Sequence, residues 1–291
     1  MSQPLCDESG MLPRGAAAAR QHPPAVVAPA LRQRDAARAA RVRAKVSTLI
    51  RRAHFLAVWL LVVCGCGAEP AGDQGAAAAR PATPDCRAPA GVSDAPRTVA
   101  ETVTLINALP KPLSLPCFLE SLARPLQLQA SISLFSAQPS KGQRTPRIFL
   151  FRDPLVMSIV PDGDGSELLE FGEQRPSLRS LKAEIAFPVS APLEPSAPYE
   201  GLMFNPQLTT CGGCHANEQQ ESELSGARTF VSVALRPRQV DRVSVLSLGH
   251  ELEICDRAQE PLRCAMLDAL LGWGQVTERE FPAEMATFGG P

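Results

Sequence analysis

From Leu126 the residues Leu126, Leu128, Ala130, Ile132 and Leu134 alternate with polar partners, the period-two pattern of a strand with one buried face. Such a strand needs partners beside it and a layer over its apolar side. Short apolar runs follow at Arg147 to Phe151, Leu155 to Val160, Leu168 to Phe171 and Leu181 to Phe187, separated by turn-rich pieces such as Pro161-Asp-Gly-Asp-Gly165. This spacing predicts a small antiparallel sheet or sandwich over residues 98–190. Asp162 and Asp164 do not make a calcium loop, because the EF-hand spacing needs a further ligand and a Gly at position six. They read as a solvated hairpin turn.

Four prolines between Pro188 and Pro198 mark a boundary, and residues 191–291 read as a second unit. That unit holds a strand-like run from Thr229 to Leu235 and two helical stretches, about Val240 to Cys255 and Pro261 to Leu271. Pro261 suits a first helical turn, and Leu262, Met266, Ala269 and Leu270 recur at helical spacing. The expected fold class is therefore α+β, a small antiparallel β-rich domain followed by a small α-rich module.

The first 97 residues carry little that could form a core. Residues 1–45 are a low-complexity basic extension rich in Ala and Pro, either a true extension or sequence ahead of a start near Val46. Residues 46–66 have the parts of an export signal: Arg51-Arg52, the apolar run Phe55 to Val63, then small residues. The run is shorter than the roughly 20 apolar residues that span a bilayer. Val63-Cys64-Gly65-Cys66 resembles the lipobox of bacterial lipoproteins, which implies Cys66 as a lipidated mature N-terminus. Cys64 departs from that pattern, and plain cleavage or an uncleaved anchor stay open. Residues 67–97, rich in Ala, Pro and Gly, read as a flexible tether.

Residues 1–52 hold ten basic and three acidic residues, so the remainder has 19 basic and 27 acidic ones, a net charge of −8. An acidic exported protein is a poor partner for nucleic acid, and no aromatic precedes Phe55 in the basic segment. The expected location is outside the cytoplasm, in the periplasm or on a membrane through a lipid anchor. No Gly-x-Ser-x-Gly elbow, His-Glu-x-x-His helix or phosphate-binding glycine loop occurs, so no catalytic residue is assigned.

Cys211-Gly-Gly-Cys-His215 carries the sharpest chemistry in the chain. In a Cys-x-x-Cys-His stretch each thiol can add to one haem vinyl group, and the adjoining imidazole reaches the iron. Cys211 and Cys214 are thus candidate thioether residues for haem c, and His215 is the candidate proximal iron ligand. With Gly201-Leu-Met-Phe204 ahead of it, the stretch resembles the local signature of monohaem c-type cytochromes over about 20 residues. The resemblance implies one-electron transfer with a redox partner protein, and a distal Met downstream. Met285, Met266 and His250 are the distal candidates, beside an open iron position. The half of the chain before the motif does not look like a cytochrome.

Other uses of these cysteines compete. Cys211 and Cys214 could form a redox pair, although the Pro-rich segment before them is not the βαβ setting of a thioredoxin site. A zinc site from Cys211, Cys214 and two of His250, Cys255 and Cys264 satisfies ligand count. Cys255 and Cys264 most simply bond to each other across a short loop, leaving Cys86 and Cys117 as a second pair, one of three connectivities open to four cysteines. Three functional classes follow: an exported haem electron carrier, a non-catalytic disulfide-stabilised binding or structural lipoprotein, and a haem enzyme or sensor with an open iron position.

Overall fold

The computed structural model describes residues 86–132, 136, 138–224 and 226–287, all within one compact unit. The export signal, the lipobox and Cys66 lie outside the described residues, as do residues 133–135 at the end of the first alternating run.

The alternating runs become a meander. Strands β1 (Leu126–Ser131), β2 (Arg147–Arg152), β3 (Leu155–Ile159), β4 (Leu168–Arg175) and β5 (Arg179–Ala186) pair antiparallel in chain order. Two short strands, β6 (Met203–Asn205) and β7 (Leu208–Thr209), then form a separate hairpin. The main sheet does not end where the prolines begin. β8 (Gln219–Leu224) and β9 (Ala227–Val233) form a hairpin whose β9 pairs antiparallel with β5, Leu181 opposite Val231. At the other edge, β11 (Arg242–Val243) runs antiparallel and β12 (Val276–Glu278) parallel to successive parts of β1. The result is a nine-stranded mixed sheet. Beside it, β10 (Leu235–Arg236) and β13 (Ala286–Thr287) make a two-stranded parallel pair.

The expected small β-rich domain followed by a small α-rich module is therefore corrected. Residues 191–291 contribute four strands to the same sheet as residues 126–186. The physical reason is that Gln219–Leu224 is largely polar and β11 and β12 are two and three residues long. None shows a periodicity, and backbone pairing holds them instead.

One sheet face is apolar. Leu128, Ile148, Leu150, Met157, Ile159, Leu169, Phe171, Leu181, Ala183 and Ile185 are buried in the main core. Helices α1 (Val99–Ala108), α2 (Leu115–Ser121), α4 (Val245–Glu253) and α5 (Pro261–Leu271) supply Leu105, Ile106, Phe118, Leu119, Leu248, Met266, Leu267 and Leu270 to it. A four-residue turn, α3 (Ala197–Glu200), adds Tyr199. Each fully buried large apolar side chain contributes about 1.5–3 kcal/mol.

The helices start where capping chemistry permits. Thr98 accepts the N–H of Glu101 at 3.1 Å to open α1, Ser114 that of Cys117 to open α2, and Ser244 that of Ser247 to open α4. Helix α4 thus begins at Val245 rather than near Val240, because Arg242–Val243 is committed to β1. α5 runs from Pro261 to Leu271, with Met266, Ala269 and Leu270 buried and Leu262 on the surface.

The second face is polar at its centre. Arg147, Ser158, Glu170 and Lys182 come from four adjacent strands at positions alternating with core residues. Arg147 donates to Ser158 Oγ and pairs with Glu170, and Ser158 Oγ donates to Gln138 Oε1 at 3.1 Å. Toward the β1 end, Phe281 stands edge-on to Phe149 and Phe151, and Met285 joins Phe151, Val156, Ala234 and Phe281 in a small second core.

Candidate haem-attachment site

The polar face positions the cysteine motif. The hairpin of β6 and β7 leads into a single 3₁₀ turn, Thr210–Gly213, that carries Cys211. Thr209 caps this turn, its Oγ1 accepting the Cys211 N–H at 3.1 Å. The Cys211 carbonyl then accepts the N–H groups of Cys214 at 3.1 Å and His215 at 2.8 Å. Both cysteines and the histidine are therefore fixed by one backbone turn.

Glu218 closes the loop from below. Its carboxylate accepts the Thr209 N–H at 2.6 Å and the Thr209 hydroxyl. Gly212 makes room for that carboxylate, since a Cβ there would lie 2.9 Å from Glu218 Oε2. A side chain at position 212 would have to displace the group that holds the turn.

His215 reaches across to the sheet. Its Nδ1 lies 2.9 Å from the carbonyl oxygen of Val233, at the end of β9, and 3.3 Å from Lys182 Nζ on β5. A carbonyl can only accept, so the shorter contact puts the ring proton on Nδ1 and leaves Nε2 with its lone pair. Burial, and then the Lys182 ammonium beside it, bring the imidazole down to about 3, so it is neutral at physiological pH.

Lys182 is 8% exposed and donates to Ser180 Oγ at 2.8 Å. Burial lowers it to about 8, against the opposing pull of Cys211. Burial also pushes the Cys211 thiol up to about 11, with Lys182 working in the other direction. Cys211 is the free cysteine among the described residues, whereas Cys214 is disulfide-bonded.

The remaining candidates separate by place. Met266 is fully buried in the main core, on the helical side of the sheet. His250 lies on α4 with its side chain 66% exposed, 3.7 Å from Glu253. Met285 packs in the second core with Ala234, the residue after Val233, on the same side of the sheet as the motif turn. Cys255, just past the end of α4, is bonded to Cys264 in α5, and Cys86 to Cys117. The zinc set is therefore not brought together, and among the described residues no cluster of three His, Cys, Asp or Glu side chains has the form of a metal site.

Lys182, Thr209, Glu218 and Val233 belong to the site and carry no motif signal. Lys182 sits between Leu181 and Ala183 in an alternating strand, where it reads as a solvated outward position. In the fold its head group meets Ser180 and the His215 ring of the motif instead.

No family model, curated protein or solved structure matches the chain. Two sulfurs on one turn and a neutral imidazole whose Nδ1 is engaged by a backbone carbonyl fit covalent haem, since histidine ligands to metals characteristically donate their second nitrogen in this way. A thioether forms from a thiol, so attachment at Cys214 requires its disulfide to be reduced first.

Proposed function

We propose that the protein is an exported, lipid-anchored c-type haem protein that transfers single electrons to or from a redox partner protein. Cys211 and Cys214, once reduced, would hold the haem as thioethers and His215 would bind its iron through Nε2. The supporting observation is the His215 Nδ1 contact with Val233, which orients the ring and leaves the other nitrogen as the ligand, while burial and then Lys182 keep the ring neutral. Bound haem supplies a one-electron iron couple.

The residues of the chain do the rest. The Thr209–Glu218 clamp fixes the turn, Val233 orients the ring, and Phe151, Phe281 and Met285 pack a small apolar core on the same sheet face. Met285 would be the further residue available to hold the iron, because it shares the sheet face of the motif while Met266 fills the opposite core and His250 faces solvent. A haem held by these residues would rest on a β-sheet scaffold rather than in a helical module.

The test is expression with a cytochrome c maturation system, followed by visible absorption and a denaturing gel stained for haem. A Soret band and haem that stays with the boiled polypeptide support the proposal. A colourless product overturns it. A second reading, a disulfide-stabilised binding lipoprotein without haem, draws on the bonded state of Cys214 beside the Cys86–Cys117 and Cys255–Cys264 bridges. That colourless product with Cys214 still bonded after native export is its signature.

A further inference from the structure

We infer that Lys182 is a positioning residue that raises the reduction potential of the iron centre by holding a buried positive charge against the rear of the His215 ring. The inference rests on the haem reading above and adds to it a residue that no motif marks.

Lys182 comes from the middle of β5, where Gly172 of β4 stands opposite it. Pairing with β4 fixes its Cα on one side, pairing with β9 on the other ends one residue earlier at Leu181, and the side chain is buried rather than turned out to water. The head group donates to Ser180 Oγ at 2.8 Å and lies 3.3 Å from His215 Nδ1. No carboxylate lies within ion-pair distance of it among the described residues. Glu170 is taken by Arg147, and the Glu218 oxygens are taken by Thr209.

The proton count then decides what the contact does. With Nδ1–H donated to Val233, the ring has no lone pair left on that nitrogen for the ammonium to use. Lys182 and His215 therefore meet as a charge beside a ligand, with the lysine hydrogen bond going to Ser180. A fixed positive charge near iron penalises the ferric state, which carries one more positive charge than the ferrous, and burial weakens the screening. Gaining an electron becomes easier and the potential rises. Arg147 adds to the same field from β2, and its charge is balanced by Glu170.

The experiment compares wild type, Lys182→Met and Lys182→Arg as haem-loaded proteins, by redox titration at pH 6.5 with haem content measured on the same samples. Met keeps the apolar stem, and exchanging a buried unpaired charge for an apolar group of similar volume is not expected to unfold the sheet. The expected result is a midpoint potential lower in Lys182→Met by a tenfold or larger change in the reduction equilibrium, about 59 mV for a one-electron couple. Lys182→Arg is expected to restore most of it. A Lys182→Met protein that carries haem at the wild-type potential overturns the inference and leaves the haem reading standing. A wild type without haem removes both.

A second measurement needs no variant. The ¹⁵N signals of His215 in haem-free wild type are expected to show a protonated Nδ1 and a bare Nε2. The opposite tautomer would make Lys182 a donor to Nδ1 and would overturn the inference even if Lys182→Met failed to take up haem.

Discussion

His215 on the motif turn and Val233 at the end of β9 are joined by a 2.9 Å contact between the imidazole Nδ1 and the Val233 carbonyl oxygen. The contact couples the turn to the sheet, so the ring's protonation and the stability of the fold are linked.

The link has a sign that can be measured. In the unfolded chain the ring takes a proton near 6.5, whereas in the haem-free fold burial and Lys182 hold it to about 3. Between these values the unfolded state binds more protons, so the contribution is complete above about pH 6.5 and is lost as pH falls toward 3. In urea titrations, the stability difference between wild type and His215→Gln is expected to shrink by about 2 kcal/mol from pH 7 to pH 4.5. A constant difference would show that the ring titrates alike in both states.

Cys211 should be a poor nucleophile before haem is attached. Its thiol is pushed up to about 11 by burial, and the thiolate is the reactive form. Iodoacetamide at pH 8 is expected to label Cys211 at least tenfold more slowly in the folded haem-free protein than in urea. Equal rates would mean that the turn leaves the sulfur open.

The Glu218 carboxylate governs the geometry of the motif. Glu218→Ala removes two charge-assisted hydrogen bonds to Thr209 and is expected to cost about 2 kcal/mol in chemical denaturation. Gly212→Ala pushes on the same carboxylate and is expected to lower stability in the same direction. Both variants should also lower the yield of covalent haem per polypeptide, whereas Ala at Gly213, where nothing stands within 4 Å of an added Cβ, should not.

The two bridges between described residues should differ in worth. Cys86–Cys117 closes a separation of 31 residues and Cys255–Cys264 one of 9. Chain entropy then gives about 3.7 and about 2.7 kcal/mol respectively. Replacing each pair by Ala is expected to lower the melting temperature more for Cys86 and Cys117. The reverse order would point to structure in the unfolded chain near that pair.

β1 was readable from its alternation, β2 to β5 as short apolar runs between turn residues, and α5 because Met266, Ala269 and Leu270 recur at helical spacing. Helix α1 carried a start signal in Thr98 followed three residues later by Glu101, which the reading of residues 98–190 as a β-rich domain passed over. The outer strands had no signal to read: β8 is polar, and β11 and β12 are too short for a period. Of the site, the chemistry of Cys211, Cys214 and His215 is local and therefore visible in the sequence. Lys182 and Val233 join it only through pairing between β5 and β9, a contact of two segments about 50 residues apart.

The central claim is that Cys211 and Cys214 carry haem with His215 at the iron. Mass spectrometry of the peptide spanning residues 211–215, from protein exported and matured in its native host, tests this directly. The predicted result is one haem added to that peptide through both sulfurs. A peptide with both sulfurs free of porphyrin, as thiols or as disulfides, would contradict it.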